Sequence, residues 1–360
     1  MLKKPAPLDD PKVKEFYLRP GDFLVSRSNT RELVGLSALF RGEIDNCSYP
    51  DLLMRFRVDK SLIHEGYLEN FLRSGEALTF LQSKASGTSG SMVKINKGIL
   101  EGLPVPVPTI EEQRKIAQIL STWDQAIEKL EALIAAKQKR KKALMQQLLT
   151  GRRRFSGFSV NDAWAWVKAE ELFKISSIRG YKNEELLSVT QDQGVLPRSK
   201  LERKVVMPEG SVESYKLVEP GDFIISLRSF QGGLEFSSYR GLVSPAYTVL
   251  RPRKKIVDSY YKHFFKSYYF IGHLAVAVIG IRDGKQISYE DFSFLSLPYP
   301  SIDEQQKIAA ILDTADQELS LHTRHLAALK KQKKGLMQQL LTGKTRVPLD
   351  SPTPDPEVTP

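Results

Sequence analysis

The sequence predicts a mixed α/β chain: two globular domains separated by two long helices, the helices packing as an antiparallel coiled coil in a pseudo-two-fold internal repeat. Three observations carry this. The stretch P-V-P-T-I-E-E-Q-R-K-I-A-Q-I-L from Pro106 returns as P-Y-P-S-I-D-E-Q-Q-K-I-A-A-I-L from Pro298. Both copies close on M-Q-Q-L-L-T-G, at 145–151 and 337–343, each residue 192 positions after its twin. The turn P-G-D-F also occurs twice, at Pro20 and Pro220. A repeat of this length decides architecture more firmly than any single motif.

Residues 1–105 form the first domain. A proline-glycine turn leads into the apolar run Phe23, Leu24, Val25, which reads as a short strand. A strand region over 52–58, an aromatic helical stretch over 67–81 and a polar glycine-containing loop over 87–94 follow.

The first long helix fills 106–151. Pro106 and Pro108 stiffen its lead-in, and Thr109 with Glu112 has the spacing of a capping box. Gly151 stands where a left-handed cap would end it. In between, apolar residues alternate in steps of four and three at Ile116, Leu120, Trp123, Ile127, Leu130, Ile134, Leu144 and Leu148. That spacing is a heptad seam, and about forty residues at ~1.5 Å each give a rod of roughly 60 Å.

Residues 152–297 repeat the first domain with extra sequence in front. Trp164, Trp166, Leu172, Phe173, Ile175 and Ile178 read as the strand and helix that open a core, and no counterpart precedes Pro20. The first domain is therefore expected to be shortened at its N-terminus. Aromatic residues from Tyr260 to Tyr269 at helical spacing read as core.

The second long helix fills 298–343, capped by Ser301 and Glu304 and ended by Gly343. Its seam is Ile308, Leu312, Leu319, Leu326, Leu329, Leu336 and Leu340. Antiparallel overlap of the two seams would set Trp123 near Lys333 and Lys141 near Ala315. Lys137 and Lys141 interrupt the first seam, and the expectation is that they mark where a partner meets the helix. The tail 344–360, rich in proline and aspartate, is expected to be disordered.

Composition narrows the functional classes. A net charge of +11 favours a polyanionic or acidic partner, with basic runs near both helix C-termini. The one cysteine, Cys47, forbids an internal disulfide, and no cysteine-histidine spacing suits zinc. His322 and His325 lie one turn apart, but His322 falls on the seam. No signal peptide or transmembrane run is legible, so a cytoplasmic location is expected. No phosphate-cradling Walker loop or dinucleotide fingerprint occurs. Gly87 to Ser91 could wrap a phosphate through its backbone, although a flexible turn is the default reading. Asp192, Glu202 and Lys204 loosely echo a metal-dependent nuclease.

Two related domains on long helices, basic and without catalytic apparatus, have the layout of a two-headed reader. The lead-ins L-P-V-P-V-P-T-I-E-E-Q-R-K-I-A from Leu103 and L-P-Y-P-S-I-D-E-Q-Q-K-I-A from Leu297, the M-Q-Q-L-L-T-G ends and the paired P-G-D-F turns resemble the specificity subunit of a type I restriction-modification system. The resemblance covers nearly the whole chain. It implies two target recognition domains, each reading half of a split site in double-stranded DNA, on a coiled-coil spacer. It also implies two methyltransferase (modification) subunits carrying S-adenosylmethionine, restriction subunits that translocate and cut, and no catalysis or cofactor in this chain.

Loops after the P-G-D-F strands then become the candidate readers of DNA: Arg27, Ser28, Asn29 and Arg31 in the first domain, Arg228, Ser229 and Gln231 in the second. Arg282, Lys285 and Gln286 join them from the second domain's polar loop. Three other readings stand beside this one: a standalone DNA-binding or scaffold protein with a coiled-coil spacer, an inactive truncated specificity subunit, and the nuclease.

Overall fold

The structure, a computed structural model, describes residues 14–89, 92–158, 163–191, 194–201, 212–277 and 287–349. In chain order the first half supplies β1 (Phe23–Ser26), β2 (Ser28–Asn29), β3 (Ser37–Leu39), β4 (Leu53–Phe56), α1 (Glu65–Leu72), α2 (Gly75–Lys84), β5 (Ser86–Ser89), β6 (Met92–Lys94) and α3 (Lys97–Glu101). The first long helix is α4 (Ile110–Leu148). The second half opens with β7 (Ala165–Lys168), α5 (Ala169–Leu172), β8 (Phe173–Ser176), β9 (Leu187–Thr190), β10 (Gly194–Pro197), β11 (Lys216–Val218) and β12 (Phe223–Ile225). It continues through α6 (Ser229–Gly232), β13 (Glu235–Phe236), β14 (Gly241–Val243), β15 (Thr248–Pro252), α7 (Asp258–Phe264), α8 (Tyr268–Ala277), α9 (Tyr289–Ser293) and β16 (Ser296–Tyr299). The second long helix is α10 (Ile302–Leu341).

The chain divides into two compact units, but not at the ends of the long helices. Residues 1–132 join 323–360 in one unit, and 133–322 form the other, so each unit owns half of each long helix. Antiparallel pairing of the two repeats produces this division. The start of α4 and the end of α10 share one core, where Ile116 and Leu120 pack with Phe23, Phe71, Leu340 and Leu341. The end of α4 and the start of α10 share the other, where Leu148 and Leu149 meet Ile308, Leu312, Phe223 and Phe264. Each such side chain contributes about 1.5–3 kcal/mol on burial.

Both seams are where the heptad spacing puts them. Between 121 and 143 only Trp123, Ile127, Leu130, Ile134, Lys137 and Lys141 escape full exposure, and between 317 and 335 only Leu319, His322, Leu326, Leu329 and Lys333 do. The interrupting lysines have a different task from the one expected. Lys141 bonds Asp316, Lys137 bonds Glu318 at 2.6 Å, and Lys333 bonds Asp124. Each long stem covers the seam while its ammonium reaches a carboxylate at the rim. Lys141 with Asp316 and Lys333 with Asp124 are the same pair related by the repeat, in the register expected from full overlap.

The helix ends are built alike. Thr109 Oγ1 accepts from the Glu112 N–H at 3.4 Å and Ser301 Oγ from the Glu304 N–H at 3.3 Å. The reciprocal half of each capping box is replaced, because the two glutamates turn to arginines. Glu112 accepts from Arg346 Nη2 at 2.6 Å, and Glu304 accepts from Arg154 Nη2 at 2.7 Å and Trp164 Nε1 at 2.9 Å. Gly151 and Gly343 take φ of +71° and +73°, the left-handed conformation that ends a helix. The tail is ordered as far as Leu349, contrary to expectation: Val347 packs into the first unit's core and its N–H donates to Glu112. Residues 350–360 lie outside the described residues.

The lead-ins join helix to domain. Gln113 receives the His64 N–H at 2.8 Å and donates to the Leu62 and Pro108 carbonyls; Gln305 receives the Val257 N–H at 2.9 Å and donates to Pro300. Tyr67 and Tyr261 donate to the carbonyls of Pro106 and Pro298, each at 2.8 Å.

The P-G-D-F turn proves structural. Gly21 and Gly221 take φ of +93° and +96°. Asp22 accepts from the Arg19 N–H and pairs with Arg57, while Asp222 accepts from the Glu219 N–H and pairs with Arg251. Burial pushes the Asp22 carboxyl up, but the Arg57 and Arg19 hydrogen bonds bring it below the usual carboxylate range. The strands behind the turns form matching antiparallel sheets, in the order β3-β1-β4 in the first unit and β13-β12-β15-β8 in the second. Edge strand β8 has no counterpart among the described residues of the first unit.

Three local expectations change. The aromatic stretches are each two short helices, α1 with α2 and α7 with α8. Residues 87–89 and 92–94 belong to paired strands, β5 and β6, rather than a loop, which removes the phosphate-wrapping reading as far as Ser89; residues 90 and 91 lie outside the described residues. Of the residues read as opening the second core, Leu172 and Phe173 are buried, whereas Trp166, Ile175 and Ile178 are exposed.

Candidate nucleic-acid interface

Each unit presents a loop directly after its P-G-D-F strand. In the first unit β1 runs through Arg27 into β2, which pairs with β6. The Arg27 backbone is fixed on both sides, its N–H to Leu52 and its carbonyl to Ile95, at 2.8 and 2.9 Å. Its guanidinium is exposed, with no hydrogen bond or ion pair among the described residues. Asn29 is half-buried and organises the turn, Oδ1 accepting from the Thr30 N–H at 2.9 Å. Arg31 is exposed but anchored, Nη1 donating to the Gln82 carbonyl at 3.2 Å. Gln82 in turn donates to the carbonyls of Glu32 and Val34.

In the second unit the loop after β12 forms the single turn α6. Ser226 and Ser229 are both buried, and Ser229 Oγ accepts from the Ser226 N–H at 2.8 Å. Arg228 and Gln231 project from this buried base, exposed and without side-chain partners among the described residues. Gln191, directly after β9, donates from Nε2 to the Arg228 carbonyl at 3.3 Å.

The candidates therefore separate. Arg27, Arg31, Arg228 and Gln231 are on the surface, with Asn29 partly so. Ser28 and Ser229 are corrections: Ser28 is 5% exposed and Ser229 1%, so neither hydroxyl is presented to a ligand. Strand alternation turns Ser28 inward, and the turn closure consumes Ser229. Arg282, Lys285 and Gln286 lie outside the described residues, as do Asp192, Glu202 and Lys204. Sequence reasoning missed Gln82, Gln191 and Lys266, which shape the loops. They sit far along the chain, and only the glycine-flanked loops they brace hinted that bracing was needed.

Among the described residues no group of His, Cys, Asp and Glu is arranged to hold a metal ion. None of the described helices is long and apolar enough to cross a membrane. The one buried histidine cluster is tied to the spacer helix: His263 Nε2 donates to Asp313 at 2.9 Å, and Asp316 and Lys141 stand beside it. Burial holds the His263 pKa below its ordinary value, Lys141 adding to this and Asp313 opposing it.

Against known proteins, residues 11–138 and 161–331 match the family described as type I restriction modification DNA specificity domain. The chain belongs to that family. This specificity chain is similar to a Methanocaldococcus jannaschii chain assigned as the specificity subunit of the type I restriction enzyme MjaX. The two are 27% identical over 356 residues, covering 93% of this chain and 81% of the other. It is similar also to the MjaVIII specificity subunit of the same organism, 26% identical over 317 residues, or 82% and 73% of the two chains. Among solved structures it shares its fold with the type I restriction-modification S subunit from M. genitalium. The TM-score is 0.56 at 15% identity, over 91% of this chain and 84% of that one. A chain from a study of type I restriction-modification complex assembly and conformational transition gives 0.56 at 20% identity, over 91% and 83%. The specificity chain is thus a DNA sequence-recognition subunit of a type I restriction-modification system, and catalysis belongs to other subunits.

Proposed function

We propose that the two units each read one half of a bipartite DNA target, the first through the loop carrying Arg27 and Arg31 and the second through that carrying Arg228 and Gln231. The observation that carries this reading is the repeated placement of an exposed guanidinium, Arg27 or Arg228, unpartnered among the described residues, beside a strand locked by a buried aspartate paired with an arginine. Arginines on rigid loops suit phosphates or the O6 and N7 of guanine, and Gln231 suits adenine. The net charge of +11 adds salt-sensitive affinity.

The finer assembly follows from the same reading. The chain recruits two methyltransferase subunits, which bring S-adenosylmethionine and methylate adenine, and restriction subunits that translocate and cut. It carries no cofactor of its own and works in the cytoplasm.

Single-molecule sequencing of adenine methylation, in a host with and without this chain, tests the proposal. A two-part methylated motif that depends on the chain is expected. Methylation unchanged by its removal overturns the reading. Co-purification separates it from a standalone DNA-binding protein, because only a specificity subunit brings a methyltransferase subunit with it.

A further inference from the structure

Three segments of the second unit meet at one ammonium group. Lys266 follows α7, and its Nζ donates to the Gly232 carbonyl at 2.9 Å, approaches the Gln191 carbonyl at 3.5 Å and forms an ion pair with Glu235. Glu235 is almost wholly buried on β13, and Lys266 is about one-third exposed. Gly232 closes the turn that displays Arg228 and Gln231, and Gln191 directly follows β9. The amide of Gln191 lies so close to Gly232 that a Cβ there would meet its Nε2 at 3.1 Å. The hairpin end and the turn are thus fastened to each other by Gln191 and to the core by Lys266. A short turn would otherwise sample many conformations, and readout of base edges needs donors held to fractions of an ångström.

Among the described residues the first unit has no such knot. The spacing of 193 that relates the helix-capping Ser74 to Ser267 sets Arg73 opposite Lys266, and Arg73 pairs with Glu69 of α1 at 3.0 Å. There Arg31 and Gln82 brace the loop instead.

We propose that Lys266 is a positioning residue for sequence recognition by the second unit alone, holding Arg228, Gln231 and Gln191 as one reading surface. Lys266 itself touches no DNA. Its contribution appears as discrimination between cognate and substituted base pairs rather than as overall affinity. The inference rests on the bipartite reading above.

The test uses the full chain in complex with its methyltransferase subunits, once the methylated motif is known. Methylation rates are measured on duplexes carrying single base-pair substitutions in either half-site. Because Lys266→Met alone leaves the Glu235 carboxylate buried without its cation, the informative variant is Glu235→Gln with Lys266→Met, with thermal unfolding measured beside it. The expected result is a loss of about tenfold in discrimination at one half-site, unchanged discrimination at the other, and retention by Lys266→Arg. Undiminished discrimination at both half-sites in the double variant overturns the inference while leaving the bipartite reading intact. Equal loss at both half-sites also overturns it, since the knot exists in one unit only. A wild-type complex without a two-part motif overturns the bipartite reading itself, and the inference with it.

Discussion

Arg154 grips Glu304 with two hydrogen bonds, Nε to Oε1 at 2.8 Å and Nη2 to Oε2 at 2.7 Å, and Arg346 grips Glu112 the same way in the other unit. Each pair joins the residues just past one long helix to the first turn of the other, so the repeat closes on itself at both ends. The two copies differ in burial: Arg154 is 11% exposed and Arg346 69%.

Removing the cation should therefore cost unequally. Arg154→Met leaves the buried Glu304 carboxylate without its cation, held by the Trp164 N–H, a loss of about 3–5 kcal/mol. Arg346→Met, at a solvated end, should cost clearly less. Calorimetric unfolding of the full chain measures both, and equal losses would contradict the burial argument.

His263 makes the second unit sensitive to mild acid. Its folded pKa lies below the unfolded value of 6.5, because burial penalises the charged ring. The unfolded chain then binds more protons as pH falls below about 6.5, so this site's share of stability is complete above that value and declines beneath it. The groups facing the ring are Asp313 and Asp316 from α10, Lys141 from α4 and Lys262 from its own helix. A melting temperature followed from pH 7.5 to 5.5 should fall, and His263→Asn should flatten that slope while lowering the starting value. An unchanged slope in the variant would assign the acid sensitivity elsewhere.

Glu112 acts at lower pH. Arg346 hydrogen bonds hold its carboxyl below the ordinary value of 4.5, burial pushing the other way. Its contribution is present above 4.5 and is lost as pH falls through the folded value. Glu112→Gln should remove part of the acid-induced destabilisation of the first unit below pH 4.5, read as a shallower fall in melting temperature there.

Proline in the seam should act on both half-sites together. Leu130→Pro removes a backbone hydrogen bond from α4 and clashes with the preceding turn, costing ~3 kcal/mol or more. Methylation should fail at the whole motif, whereas Arg27→Ala and Arg228→Ala should each relax a different half. Loss confined to one half in the proline variant would argue against a shared spacer.

Charge reversal tests the register of the seam. Asp124→Lys sets two cations together beside Lys333 and should lower the melting temperature, and adding Lys333→Asp should restore most of it. Failure of the double variant to recover would mean that the pair is incidental.

The repeat, both helices, their caps and their heptad seams were legible in the sequence, because they depend on interactions within a few turns of chain and on periodicity. So was the assignment to the specificity family. What sits on the seam at Lys137 and Lys141 was not, since their carboxylates lie some 180 residues away and an ammonium looks the same in sequence whether it meets protein or phosphate. The capping glutamates misled for the same reason: local spacing offered them a backbone N–H, and tertiary structure offered an arginine, which binds a desolvated carboxylate more strongly. Ser28 and Ser229 read as polar loop residues until strand pairing and turn closure turned them inward. Sequence determined which elements exist and that they occur twice. The antiparallel closure of one copy on the other decided which charged residues are spent on the scaffold and which, like Arg27 and Arg228, are left facing outward.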